Sequence, residues 1–201
     1  MKLTTPEQAK ALCIEAHKGQ WRRPTILLHG PGTLITDRVM SIMMYSEVTE
    51  PAILPNGNKL TYCRYYKQWN LYEPYHTHPC RVSEMMNTPY RKMLAYLHDV
   101  SEDCDYELIT GFDGEGYLSY YIAHKEHPMQ YEISQNFYID LGLLTKDPNL
   151  TYKQNIRRIK DSGRADPIAV KIADNCDNLS TGTDKQKKKY LTISLPILLE
   201  N

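Results

Sequence analysis

The sequence has no excess of either sign of charge. Its 201 residues include 24 Lys and Arg and 24 Asp and Glu, so the formal net charge is zero. General nucleic-acid-binding proteins carry a basic excess, and the balance argues against a nucleic acid polymer as partner while leaving room for one small anionic ligand. No apolar run approaches the roughly 20 residues of a membrane-spanning helix. We therefore expect no association with a membrane.

The sequence also lacks a disulfide or zinc-knuckle pattern of cysteines. The five cysteines are odd in number and scattered, without any CxxC pair: Cys13, Cys63, Cys80, Cys104 and Cys176. Disulfide frameworks need paired, regularly spaced cysteines and an oxidising compartment. The N-terminus shows no basic-then-apolar secretory pattern. We therefore predict reduced thiols and a cytoplasmic location.

Helical signals dominate the rest of the chain. Thr5, Pro6 and Gln8 form a helix start with a capping box, and apolar residues follow at helical spacing. Four further stretches also read as helices: ISQNFYIDLGLLTKD, YKQNIRRIKDSG, ADPIAVKIADNCDNLS and KQKKKYLTISLPILLEN. We expect Asp166 to cap the third of these, Pro196 to bend or break the last, and the three lysines at 187–189 to form a solvated face.

Two segments interrupt this helical pattern. Residues 24–72 are punctuated by Pro and Gly, and AILPNGNKLTYCRYY within them predicts a β-hairpin around PNGN. TDRVMSIMMYSE in the same segment is compatible with a short helix. Residues 111–131 read as a Gly- and Tyr-rich connection. The prediction is a mainly α single domain over 1–201, with a small hairpin-containing insertion at about 24–72.

The stretch LHDVSED concentrates chemistry-bearing side chains. If it lies on one helix, His98 and Glu102 are four residues apart and share one side with Asp99 and Asp103 on adjoining turns. Adjacent His and Asp residues can give one nitrogen and one oxygen to a divalent metal, and a cation would offset the crowded carboxylates. The competing interpretation is a solvated acidic helix end with His98 packed in the core.

Two more segments supply candidate ligands. Asp174 follows the apolar run Val170, Ile172 and Ala173, and a buried carboxylate needs a partner or a metal; the alternative is that it simply meets water. His78 would complete a set with His98, Asp99 and Asp174. Such mixed nitrogen and oxygen ligation leaves positions for water and substrate, and it suits Mn, Fe, Zn or Co.

Four blocks that contain these residues follow one another in a recognisable order: AHKGQWRR (16–23), EPYHTHPCRV (73–82), LHDVSED (97–103) and VKIADNCDNL (170–179). Together they resemble the HD phosphohydrolase superfamily. More specifically, the HDxxED extension and the AHKGQ-R block resemble the RelA/SpoT-type alarmone hydrolases, including the stand-alone small alarmone hydrolases. The blocks span nearly the whole chain, although their residues are a minority of it.

The resemblance implies an HD-domain helical bundle with a Mn²⁺ site, another divalent metal being possible. It implies hydrolysis of the 3′-pyrophosphate of ppGpp or pppGpp, which releases pyrophosphate and GDP or GTP. By position, the metal ligands would be His78, His98, Asp99 and Asp174. Glu102 and Asp103 match the acidic pair that orients or deprotonates the attacking water.

The same resemblance assigns the nucleotide contacts. Arg22 matches the arginine that stacks on the base, Arg23 the adjacent basic residue near phosphate, and Asn178 the asparagine at the sugar. Tyr75 matches the aromatic residue before the metal-binding histidine. His76 stands where the family has an aliphatic or polar residue, so we expect it outside the ligand set.

Three other functions stay open at the sequence level. The family keeps its arginine block close to its PYxxHP block, whereas here residues 24–72 intervene, and that insertion can remodel specificity toward an adenine alarmone or another signalling nucleotide. A non-hydrolytic nucleotide-binding module is the second, and a helical domain with a coincidental His and Asp pattern is the third. The oligomeric state is left open.

Overall fold

The computed structural model describes residues 1–22, 27–28, 52–53, 57–63 and 68–200, and within them the fold is mainly α. The expectation of a mainly α chain is confirmed at that level. The short helix predicted in TDRVMSIMMYSE and the residue Arg23 lie outside the described residues.

The helices are numbered here in chain order. They are α1 (Pro6–Ala16), α2 (Thr77–Glu84), α3 (Pro89–Leu97), α4 (Val100–Asp103), α5 (Gln135–Leu144), α6 (Tyr152–Asp161), α7 (Ala165–Thr181), α8 (Asp184–Lys189) and α9 (Leu195–Leu198). A π-helix, Tyr190–Ser194, separates α8 from α9.

Side-chain caps explain where most of these helices begin. Thr5 accepts a hydrogen bond from the Gln8 amide at 3.3 Å, and the Gln8 side chain accepts one from the Thr5 amide at 3.1 Å. The predicted capping box is thus confirmed. The cap predicted at Asp166 was wrong, because α7 starts at Ala165 after an Arg164 that makes no side-chain cap. Asp166 lies inside the first turn, where its carboxylate accepts from Arg91 Nε at 2.7 Å.

Eight strands in the described ranges form two antiparallel sheets. The strands are β1 (Trp21–Arg22), β2 (Leu27–Leu28), β3 (Ala52–Ile53), β4 (Lys59–Cys63), β5 (Gln68–Pro74), β6 (Tyr106–Phe112), β7 (Leu118–His124) and β8 (Gln130–Ile133). In the first sheet, β1 and β2 both pair with β5, and the order continues through β4 to β3. The second sheet has the order β6-β7-β8.

The first sheet pairs the two ends of the predicted insertion. Ile53 pairs with Lys59 across the PNGN region, as the predicted hairpin requires, and Gly57 there has a φ of +84° that suits glycine. Trp21 pairs with Pro74 and Arg22 with Glu73. The two ends of the long segment therefore lie side by side, which brings Arg22 next to the chain that leads into α2.

The second sheet corrects the prediction for residues 111–131. They were expected to be a connection, but β6, β7 and β8 form a meander with Phe112 paired to Leu118. The turn between these two strands is built by Asp113, whose carboxylate accepts from the amides of Glu115 and Tyr117 at 2.9 and 2.8 Å. The Tyr and Ile residues that fill these strands favour pleated, half-buried surfaces.

The main core lies between the helices and the second sheet. Its buried side chains come from α1, α2, α3, α5, α7 and the strands β6–β8, and α3 packs against α1, α2 and α7. Leu94 and Leu97 of α3 are fully buried. Truncating such a leucine to Ala costs about 2–5 kcal/mol. The helix that ends at the His-Asp pair is therefore held firmly along its buried face.

The C-terminal helical region corrects two predictions. The regular helix ends at Lys189, and the irregularity runs through the π-helix before Pro196, which lies in the first turn of α9. The break thus starts earlier than Pro196. Lys189 is only partly exposed, so the lysine run is not uniformly solvated. In the described part of the chain, every helix is too short or too polar to cross a lipid bilayer.

Candidate metal centre and its cavity

One cavity gathers most of the residues predicted to be functional. It has a volume of about 630 Å³. The predicted site residues in its wall are Arg22, Tyr75, His78, Asp99, Glu102, Asp174 and Asn178. These residues come from β1, the α2 entry, the α3–α4 junction and α7, so the fold joins segments that are far apart in the sequence.

The His98–Asp99 pair does not lie within one helix, contrary to the expectation. Helix α3 ends at Leu97 and α4 begins at Val100, so the pair forms the turn between them. Asp99 has φ −98° and ψ −9°, and its side chain caps nothing. The turn leaves the Asp99 carboxylate free to face the cavity while His98 remains buried.

Three of the four predicted metal ligands meet at one point, and the fourth, Asp99, lies beside both histidines. His78 Nε2 lies 3.1 Å from Asp174 Oδ1 and 3.5 Å from Asp99 Oδ2. His98 Nε2 lies 3.2 Å from Asp99 Oδ1 and 3.7 Å from Asp174 Oδ1. One ligand atom each from His78, His98 and Asp174 fits within 4.8 Å, and all three residues are buried. This donor set suits a divalent cation with mixed nitrogen and oxygen ligation.

The buried imidazole of His98 tests whether a cation fits. Its Nδ1 lies 2.7 Å from the Ala95 carbonyl oxygen, which can only accept, so Nδ1 carries a proton. Its Nε2 is buried and makes no hydrogen bond of acceptable geometry among the described residues, although carboxylate oxygens of Asp99 and Asp174 lie 3.2 and 3.7 Å away. A buried polar atom without a hydrogen bond is costly. A metal ion bound to Nε2 in place of its proton would satisfy this atom and the two carboxylates, so these residues fit the metal.

The charges around this point are strongly coupled. Burial disfavours charge on His98, but the carboxylates of Asp99 and Asp174 outweigh it and raise the His98 pKa to about 9. Burial likewise opposes ionisation of Asp174, yet Lys171 and the two histidines hold its pKa well below the usual value. Metal binding would replace the proton on His98, since a ligand must be deprotonated to bind.

Lys171 is a member of the site that the sequence analysis missed. Its ammonium lies 2.7 Å from Asp174 Oδ2, with side-chain exposures of 19% and 6% for the two partners. Burial lowers the pKa of Lys171, but Asp174 raises it further, so the net direction is upward. The spacing signal was present, because Lys171 precedes Asp174 by one helical turn.

Asp177 is a second residue that was missed. Its carboxylate lies 2.6 Å from His78 Nδ1 and 2.6 Å from Arg81 Nε, and the side chain is 3% exposed. Burial raises the Asp177 pKa, but His78 and Arg81 reverse the effect and hold it far below the usual range. Because the carboxylate is ionised, His78 Nδ1 donates the hydrogen bond and its Nε2 is free to face the other ligands.

Tyr75 links the predicted metal ligands to the second predicted acid. Its hydroxyl donates to Asp103 Oδ2 at 2.5 Å and lies 3.3 Å from Asp99 Oδ2. The Tyr75 ring stacks on His17, another missed residue, with 4.6 Å between centroids. His17 is buried and its Nδ1 contacts Cys104 Sγ at 3.1 Å. Asp103 itself is exposed and does not line the cavity.

Glu102 lies at the mouth of the cavity and is held by the chain after α5. Its carboxylate accepts a hydrogen bond from the Lys146 backbone amide. Desolvation of the carboxyl raises the Glu102 pKa, and the attraction of Lys171 works in the opposite direction. A carboxylate with a raised pKa is a stronger base than an ordinary one, which suits Glu102 to accept a proton.

The predicted nucleotide-binding residues are only partly accounted for. Arg22 donates to the side chain of Asn178 and to Thr181 Oγ1, the latter at 3.3 Å. Asn178 in turn donates to Asp174 Oδ1 at 2.5 Å. The fold therefore brings Arg22 to the candidate metal centre despite the long intervening segment. His76 occupies the N-cap position of α2 without a side-chain cap hydrogen bond, and it does not line the cavity.

The remaining cavity wall carries further lysines. Lys146 and Lys189 line it in addition to Lys171. The Lys189 ammonium lies 4.2 Å from the ring centroid of Tyr152 and 4.8 Å from that of Tyr190. Burial lowers the pKa of Lys189, and the charges of Lys171 and Lys146 lower it further. An anionic ligand would relieve this repulsion.

Comparison with known proteins adds no assignment to this geometry. No family model matches the chain, and no curated protein matches it at a significant level.

Proposed function

We propose that this chain is a metal-dependent phosphohydrolase with an HD-type site that acts on the 3′-pyrophosphate of guanosine nucleotides. The observation that carries the proposal is the convergence of His78, His98, Asp99 and Asp174 beside a cavity whose wall also carries Arg22 and lysines. Acidic ligands for a cation and basic groups for phosphate are both needed to bring a nucleophile to a phosphate ester.

The ligand set would hold one divalent cation, Mn²⁺ in this proposal. Such a cation, when bound, offsets phosphate charge and brings the pKa of water toward neutrality. His78 and His98 would provide nitrogen, and Asp99 and Asp174 oxygen. Lys171 then keeps Asp174 ionised, as its 2.7 Å contact indicates.

The acidic residues beside this site would handle the proton. In the proposed reaction, water attacks the phosphorus joined to the ribose 3′ oxygen, and the bond between them breaks. Glu102 accepts the proton of the attacking water and releases it to solvent, and the departing 3′ oxygen takes a proton from solvent to become a hydroxyl group. Asp103 acts through Tyr75, whose hydroxyl it holds at 2.5 Å beside Asp99.

Other groups in the cavity wall would bind the nucleotide. Arg22 has a planar guanidinium that suits stacking on a base, and its pairing with Asn178 fixes the plane at the cavity wall. Lys146 and Lys189 supply charge for phosphate. Arginine stacking hardly distinguishes purines, so an adenine alarmone or another signalling nucleotide is the alternative substrate.

The described cysteine side chains fit the proposed cytoplasmic location. Cys13, Cys80, Cys104 and Cys176 are free thiols. Free thiols persist in a reducing compartment.

A nucleotide panel tests the proposal. The purified protein is incubated with Mn²⁺ and with guanosine and adenosine nucleotides that carry or lack a 3′-pyrophosphate, and products are separated by chromatography. We expect pyrophosphate and GDP from ppGpp, with turnover abolished in Asp99→Ala and Asp174→Ala. Asp161→Ala, an exposed acid on α6, is the matched control and should keep full activity.

Three outcomes of the panel contradict the proposal in different ways. Turnover of an adenine alarmone alone would replace the substrate but keep the chemistry. Tight binding without turnover in every divalent metal would make the protein a nucleotide-binding module. Normal turnover in Asp99→Ala or Asp174→Ala would show that the proposed metal site is not needed for the reaction.

A further inference from the structure

A chain of charged side chains holds His78 through the Nδ1 atom of its imidazole. Its Nδ1 lies 2.6 Å from Asp177 Oδ2, and both side chains are almost fully buried, at 2% and 3% exposure. His98 has no such carboxylate, because its Nδ1 donates to the backbone oxygen of Ala95. The two histidines at the centre are therefore oriented by different means, one by a side chain and one by the main chain.

Arg81 joins Asp177 to the first sheet. Its Nε and one terminal nitrogen donate to the two oxygens of Asp177 at 2.6 and 3.1 Å. Its two terminal nitrogens donate to the two oxygens of Glu73 at 2.8 and 2.9 Å. Glu73 lies in β5, directly opposite Arg22 of β1. The chain Glu73–Arg81–Asp177–His78 thus runs from the sheet to the candidate metal centre.

The contacts of Arg81 stabilise the buried charge of Asp177 and thereby orient His78. A buried carboxylate such as Asp177 is costly unless it is paired and hydrogen-bonded, and Arg81 pairs with both of its oxygens. The pairing keeps Asp177 an acceptor only, so the proton stays on His78 Nδ1. The Nε2 lone pair of His78 is then available on the side of Asp99 and Asp174, at 3.5 and 3.1 Å.

We propose that Asp177 and Arg81 are positioning residues that fix the tautomer and direction of His78 for metal binding, with Glu73 anchoring them to the first sheet. The proposal rests on the proposed function, since it concerns the same metal centre. Carboxylate partners of metal-binding histidines contribute roughly 10–100-fold to metal affinity.

The Asp177→Asn variant tests the proposal, because it keeps the shape of the side chain. Arg81 requires an acceptor, so the amide oxygen turns toward Arg81 and the amide nitrogen toward His78. The amide nitrogen then donates to His78 Nδ1, which moves the imidazole proton to Nε2 and blocks the ligand atom. We expect Mn²⁺ affinity, measured from the electron paramagnetic resonance signal of free Mn²⁺, to fall by roughly 10–100-fold.

Asp140→Asn is the matched control. Asp140 is as buried as Asp177, at 2% side-chain exposure, and it pairs with Arg164 and accepts from the Tyr90 hydroxyl at 2.7 Å. It lies outside the cavity wall. We expect this variant to lose stability on denaturant unfolding as Asp177→Asn does, but to keep the Mn²⁺ affinity of the unaltered protein.

Variants of Arg81 keep the test decisive if Asp177→Asn does not fold. Arg81→Lys retains the positive charge but loses the forked contacts, and we expect a smaller loss of Mn²⁺ affinity than in Arg81→Met. Unchanged Mn²⁺ affinity in Asp177→Asn, or in both Arg81 variants, would overturn the positioning role and leave the proposed function intact. If the unaltered protein bound no divalent metal, the proposed function would fail together with this inference.

Discussion

Replacing Lys171 by methionine tests the electrostatics of the centre in depth. Methionine matches most of the length of the lysine side chain but carries no charge, so the change isolates the ammonium group. In the unaltered protein that ammonium lies 2.7 Å from Asp174 Oδ2, and the pair is largely buried. Without it, Asp174 keeps its contacts with His78 and Asn178 but loses its ion pair with a lysine.

The size of the effect follows from the geometry. Two unit charges 2.7 Å apart attract by about 6 kcal/mol at an effective dielectric constant of roughly 20. Part of this attraction offsets the desolvation of the two ions, and breaking one partner of a buried pair costs about 3–5 kcal/mol. The 19% exposure of Lys171 admits some solvent, so we expect the metal-free protein to lose about 3 kcal/mol in its free energy of unfolding.

Mn²⁺ should restore part of this loss. A divalent cation compensates Asp174 in place of Lys171, so Mn²⁺ should stabilise Lys171→Met more than it stabilises the unaltered protein. A metal at 100 times its dissociation constant contributes about 2.7 kcal/mol. The assay is denaturant unfolding with a chelator and with saturating Mn²⁺, and Lys153→Met, an exposed lysine on α6, is the control. Equal stability of Lys171→Met and the unaltered protein in chelator, or equal stabilisation of both by Mn²⁺, would refute the reasoning.

Two further predictions concern the proton and the phosphate. Desolvation raises the Glu102 pKa, so the rate should rise with pH through a pKa above the ordinary value of about 4.3. Glu102→Gln should keep Mn²⁺ affinity but react roughly 10²–10⁴-fold more slowly, and its rate should no longer rise with pH through this pKa. If the rate of the variant still rises with pH in the same way, Glu102 is not the base. Lys189→Met should weaken binding of phosphorylated nucleotide by roughly 10-fold or more, the value of one hydrogen bond to a charged group, without changing Mn²⁺ affinity. Calorimetry measures the nucleotide affinity of this variant and of the control Lys188→Met, which changes an exposed neighbour. Equal nucleotide affinities in the two variants would contradict the prediction.

The residues that the sequence could place are those with strong local signals. Thr5, Pro6 and Gln8 define the start of α1 because capping depends on residues within one turn. The separate ligand residues His78, His98, Asp99 and Asp174 could be singled out by type and neighbours. The fold is needed to bring each of the two histidines within 4 Å of both aspartates.

The predictions that failed depended on non-local pairing or on competing local choices. The meander of β6 to β8 was mistaken for a connection because its Gly and Tyr content also suits loops, and only strand pairing separates the two. Arg81 and Asp177 are 96 residues apart, so nothing in either segment predicts their contact. Asp177 did offer one signal, since it follows Asp174 by three residues on the same helix.

The most direct test of the central claim is the anomalous scattering of Mn²⁺ in crystals grown with the metal. We predict one strong peak within bonding distance of the Nε2 atoms of His78 and His98 and of carboxylate oxygens from Asp99 and Asp174. A peak elsewhere, or no peak at this position under saturating Mn²⁺, would contradict the claim that these four side chains form a metal centre.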